Sequence, residues 1–204
     1  MRYDPLRIGG LLYVVGVFQF FVLELVAETL YPGYSVAANY ISDLGATCVR
    51  PPSTLICVVH QPTATIFDAT VFALGLLLLA GACFVYRGTR KTPYFITSAV
   101  ADVAIVLVGV FPENTGWAHA IVSDVAFLFL GISLVLGWTV VRTGVIRYLA
   151  VAFGVLTLFF TVTFVPAGLV GVGGQERLLV LSALLGLLVL GGHLTGQDAP
   201  VPAS

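Results

Sequence analysis

The chain has 204 residues, of which 59% are hydrophobic and only 9% charged, where a soluble domain carries about 25% charged residues. That balance excludes a soluble globule, and a formal net charge of −1 supplies no basic face for nucleic acid. Lipid is the implied solvent and membrane lipid the expected partner. The expected fold is all-α: one polytopic domain over residues 1–204, a bundle of six transmembrane helices with a short interfacial helix in the first outer loop.

The first apolar run covers about 8–31. It ends in acids rather than in a small-residue cleavage site, so a retained helix is expected and not a removable signal peptide. Glu24 and Glu28 stack at i,i+4 near its outer end, where their repulsion calls for a proton or a cation between them. Pro32 and Gly33 stop this span.

The polar stretch that follows contains "NYISDLGA", Asn39 to Ala46. At 100° per residue Asn39, Ser42 and Asp43 share one arc and Val36, Ala37, Tyr40, Ile41 and Leu44 the other. The spacing predicts an amphipathic turn whose polar arc folds inward over the helix ends while its apolar arc meets lipid. Cys48 and Cys57 lie nine positions apart in the same loop, a spacing that favours a disulfide on an oxidising membrane face; Cys83, inside the second span, is left as a buried small hydrophobe. His60, beside Gln61 and Pro62, is expected to be a solvated loop histidine.

Further spans are expected at about 64–86, 94–111, 118–141, 146–170 and 177–195, the third being the shortest and Pro166 a candidate kink in the fifth. Asp68 lies one turn into the second span, Asp102 near the middle of the third with Ser98 one turn away, and Asp124 two turns into the fourth. A carboxylate at such depth costs at least about 2.5 kcal/mol unless it faces the bundle interior, so these residues mark a site or an interhelical network. "FPENTGWAHAIVSD" brings Glu113 to the outer rim, puts Trp117 at the interface, and sets His119 and Ser123 one turn apart on one helix face. His193 is expected at the opposite interface.

Arg2, Arg7, Arg87, Arg90, Lys91, Arg142 and Arg147 flank one side of the bundle, and only Arg50 and Arg177 the other. The positive-inside rule then predicts a cell-membrane protein with both termini cytoplasmic and external loops at 32–63, 112–117 and 171–176. The expected site is an outward-facing polar pocket formed by Asn39, Ser42, Asp43, Asp68, Asp102, Glu113, His119, Ser123 and Asp124. Asp43 is expected to orient the His119 ring. Asp43, Asp68, His119 and Asp124 are the types that could bind a divalent metal, the one candidate cofactor, although no HExxH, HxxxH or CxxC motif supports it.

"NYISDLGA", "QPTATIFDATVFALG" from Gln61, and "VGVFPENTGWAHAIVSDVAFLFLGIS" resemble the archaeal and bacterial six-helix membrane proteins grouped as domain of unknown function 998. The shared elements are the SDLG segment Ser42 to Gly45, Pro62 with Phe67, and Gly109, Phe111 and Pro112 followed by His119. A weaker similarity reaches the Frag1/DRAM/Sfk1 group. Neither implies an activity. Three functions remain open on the sequence: binding of a lipid headgroup or small ligand, metal-dependent lipid hydrolysis within the membrane, and proton- or cation-coupled transport through Asp102 and Asp68.

Overall fold

The structure is a computed structural model that describes residues 4–49, 54–141, 144–164 and 170–196. Arg2, Arg50, Arg142 and the candidate kink Pro166 lie outside the described residues. Six helices are long and apolar enough to cross a membrane: α1 Pro5–Leu30, α2 Thr63–Thr89, α3 Thr92–Val110, α4 Trp117–Leu136, α5 Val145–Val162 and α6 Gly171–Thr195. At 1.5 Å per residue even the 18-residue α5 reaches about 27 Å, close to the hydrocarbon thickness of a bilayer.

Local chemistry sets the helix ends. The Asp4 carboxylate accepts a 2.9 Å bond from the Leu6 N–H, and Pro5 needs no partner in the first turn, so α1 starts there. It stops at Tyr31, which is extended because Pro32 follows. Two boundaries differ from expectation. The shortest described helix is α5 and not α3, which begins at Thr92 with Pro93 tolerated in its first turn. The segment 171–176, expected as a loop, is the first turn and a half of α6; its glycines hid a helix that tertiary contacts stabilise.

Each helix packs on the next in chain order, and α1 closes the ring against α6. Closure needs backbone contact: a Cβ on Gly10 would stand 2.5 Å from the Gly191 carbonyl oxygen, and one on Gly191 would stand 2.9 Å from that of Gly10. An up-and-down ring sends the α1–α2, α3–α4 and α5–α6 connections to one end, called here the loop end.

The first connection plugs that end. Its helical content is a single 3-10 turn, Ser42–Leu44, followed by a hairpin of strands β1 Thr47–Val49 and β2 Ile56–Val58 that the apolar periodicity did not announce. Cys48 stands opposite Cys57 in the hairpin register, and the two are joined as a disulfide. The facing of the turn differs from expectation. Ile41 and Leu44 are buried in the core at 4% and 0% exposure, while Val36 and Ala37 remain exposed. The ring leaves a hole between six helix ends, and filling it with Ile41 and Leu44 gains roughly 1.5–3 kcal/mol per side chain over leaving them in water.

Candidate functional site

Asp43 is 5% exposed and turns back on its own segment, accepting from the Asn39 side-chain amide at 2.9 Å and from the Tyr40 N–H at 3.0 Å. It closes a local turn and is not among the residues that line the cavity below. Burial raises its carboxyl above the usual carboxylate range, and the two hydrogen bonds pull it part of the way back. The Glu176 carboxylate, from the early turns of α6, accepts from the Ile41 N–H and so ties α6 to the same segment.

Beneath this segment lies a cavity of about 350 Å³, within the range of small-ligand sites. Its polar lining is Tyr40, Ser42, Glu113, His119, Ser123, Asp124 and Glu176, with Thr161 and Phe164 at the α5 side and Cys48 and Leu55 contributed by the hairpin. No Lys or Arg occurs among the described residues that line it. A second, smaller space of about 90 Å³ runs down the axis of the ring between Phe20, Phe67, Val71, Leu74, Ile105 and Leu184. Ser42, His119, Ser123, Phe127 and Glu176 line both. The polar cavity thus leads into an apolar one.

Two details fix the chemistry of the lining. His119 Nδ1 lies 2.8 Å from the Phe111 carbonyl oxygen, which can only accept, so Nδ1 carries the proton. Nε2 of the neutral ring is then an acceptor, 3.4 Å from the Ser123 hydroxyl. Phe111, and not Asp43, therefore sets the tautomer: the chain leaves α3 at Phe111–Pro112, and the carbonyl of that bend meets the first turn of α4. Glu113, just outside the span, has one oxygen, Oε2, buried without a hydrogen-bond partner among the described residues. Burial pushes its carboxyl up to about 7, and the Asp43 charge adds to this while the Ser42 hydroxyl opposes it.

The remaining expected residues are placed elsewhere. The Asp68 carboxylate packs under Gly45, where a Cβ would come within 2.7 Å of its Oδ1, and it does not line the cavity. Asp102, at the middle of α3, is 2% exposed and does not line the cavity; its Oδ2 is buried without a hydrogen-bond partner among the described residues. His60 packs against Tyr31, the two rings tilted by 56° with their centroids 4.5 Å apart. Among the described residues no group of three or more His, Cys, Asp or Glu could hold a metal ion, so Asp43, Asp68, His119 and Asp124 do not form the shared ligand set that their types suggested.

A neighbouring cluster supplies the cation that Glu24 and Glu28 called for. The Arg177 guanidinium pairs with Glu28, donates to the Tyr34 hydroxyl oxygen at 2.6 Å, and donates to the carbonyls of Val36, Asn39 and Gly173 at 3.0, 3.2 and 3.1 Å. Glu24 lines a small space beside it. Sequence reasoning missed both Glu176 as a site residue and Arg177 as a clamp, because both were read at the edge of a loop; an adjacent acid and base opening an apolar run was the available signal.

The family model described as Protein of unknown function (DUF998) matches residues 14–193. No curated protein matches the chain, and no solved structure does.

Proposed function

Since the chain belongs to the DUF998 family, proteins of unknown function with no activity to carry over, we propose that this six-helix membrane protein is a binding protein whose loop-end cavity holds a lipid headgroup or small ligand. The observation that carries this is the junction of a polar cavity of about 350 Å³ with an apolar space along the ring axis, through five shared residues. A head in the first and a tail in the second would each meet a matching surface. Ser123 sits at the junction, so Ser123→Trp fills it. Native mass spectrometry of protein extracted from its own membrane should detect a bound amphiphile in the wild type and none in Ser123→Trp at equal thermal stability. An empty wild type, or a bound mass that the substitution does not change, would refute the proposal.

We propose further that the cavity faces outward from the cell membrane. Arg7, Arg87, Arg90, Lys91 and Arg147 all sit at helix ends opposite the loop end, the side that the positive-inside rule assigns to the cytoplasm. Ser35 is exposed at the loop end. With Cys83 replaced by serine, Ser35→Cys should react with an impermeant maleimide in intact cells. Reaction only after permeabilisation would reverse the orientation.

A further inference from the structure

The cavity's lining has a one-sided hydrogen-bonding character. Glu113, Asp124 and Glu176 contribute carboxylates, which when ionised only accept, and His119 presents Nε2 as an acceptor because its proton is committed to Phe111. The donors along the wall are hydroxyls, those of Tyr40, Ser42, Ser123 and Thr161. The guanidinium of Arg177, the arginine described at this end of the ring, is occupied on the other side of the 31–45 segment by Glu28, Tyr34 and three carbonyls.

Two observations independent of the acid count point to an occupant. Glu113 Oε2 is buried at the cavity without a hydrogen-bond partner among the described residues, a state unfavourable for any polar atom and more so for a charged one. Asp124, seven residues and so about 10 Å along α4 from Trp117, is exposed at the cavity although it lies within the membrane span. Lower down, α4 and α5 touch backbone to side chain, with a Cβ on Gly131 only 2.8 Å from Leu158, while toward the loop end Asp124, Phe127, Thr161 and Phe164 line the cavity.

We propose that the ligand is a single-chain amphiphile with a donor-rich cationic head, an alkylammonium, held by Glu113 and Asp124 with its chain in the axial apolar space. This rests on the pocket reading above and specifies its ligand class. An ammonium brings three N–H donors to a wall of acceptors, and each charge-assisted bond is about twice as strong as a neutral one. A phosphate brings only acceptors and negative charge to the same wall, so it is excluded by the pairing as well as by the field. A neutral glycerol head would satisfy the hydroxyls and leave the carboxylates uncompensated.

The test uses the full chain in phosphatidylcholine nanodiscs, with binding of radiolabelled dodecylamine, dodecyl phosphate and monolauroylglycerol measured above empty discs at mildly alkaline pH. Dodecylamine should bind saturably, one per protein, at least about tenfold more tightly than the other two. The double substitution Glu113→Gln with Asp124→Asn should weaken the amine about tenfold and leave monolauroylglycerol unchanged. Equal or tighter binding of the phosphate or the glyceride overturns the cationic head while sparing the pocket. Amine binding that the double variant does not weaken overturns the assignment to these two carboxylates. Saturable binding of none of the three overturns the pocket reading itself.

Discussion

Two acidic clusters share the loop end of the ring and differ in one component. On the α1 side, Glu24 and Glu28 face Arg177, whose guanidinium also gathers Tyr34 and the carbonyls of Val36, Asn39 and Gly173. On the α4 side, Glu113, Asp124 and Glu176 line a cavity with no basic residue among its described lining. Glu176 and Arg177 are consecutive, so α6 sends one side chain to each cluster. The same residue types therefore serve two ends: the first cluster, complete with a cation of its own, holds the plug segment, whereas the second, open cluster has no cation among its described lining and encloses a cavity.

The sharpest way to break this contrast is to remove the cation. Arg177→Met leaves Glu28 partly buried without its partner and withdraws the donor from three carbonyls, so unfolding in detergent should lose about 3 kcal/mol. Arg177→Lys should recover only part of this, because an ammonium cannot span Glu28 and the carbonyls as the planar fork does. A loss under about 1 kcal/mol for Arg177→Met, read from thermal or denaturant midpoints, would mean that the first cluster is an exposed ion pair of little consequence and that the two clusters do not differ as described.

The division between what the sequence revealed and what it hid follows the same line. Spans and their number were legible because twenty apolar residues in succession have one physical use, and the Cys48–Cys57 pair because nine residues in one loop leave little else for it to do. Glu113, His119, Ser123 and Asp124 line one cavity, since α4 periodicity and the adjoining bend determine their neighbourhood locally. Asp43, Asp68 and Asp102, expected beside them, are not among its lining residues. Their depth in the membrane was readable, but which helix face looked into which space depends on packing around the ring, and the plug places Ile41 and Leu44 where the wheel put lipid. Arg177 was invisible as a clamp for the same reason: apart from Gly173, its partners lie 138 to 149 residues away.

The smallest effect carries the finest information. Glu113 lies outside the spans and is pushed up to about 7 from an ordinary 4.5, chiefly by burial and then by Asp43, with Tyr40 and Glu176 also facing it. Below about 4.5 it is protonated in folded and unfolded chains alike and contributes no pH dependence. Between about 4.5 and about 7 the folded state retains a proton that the unfolded state has released, so its contribution to stability falls as pH rises, and it is level again above that window. Glu113→Gln removes this slope. Relative to wild type the variant should be unchanged in acid and more stable above about 7, by about 1 kcal/mol once partial exposure is allowed for. Asp43 is raised as well and remains in the variant, so some slope at lower pH survives. The contrast with Arg177 is then one of sign: removing a member of the complete cluster destabilises, and neutralising a member of the open one stabilises. Dodecylamine affinity should rise through about pH 7 in wild type, as Glu113 releases its proton to solvent and meets the incoming ammonium as a carboxylate, and lose that rise in Glu113→Gln. Thermal midpoints across pH in both proteins decide the matter, since an identical slope in wild type and variant would place the titration elsewhere and leave Glu113 an ordinary rim carboxylate.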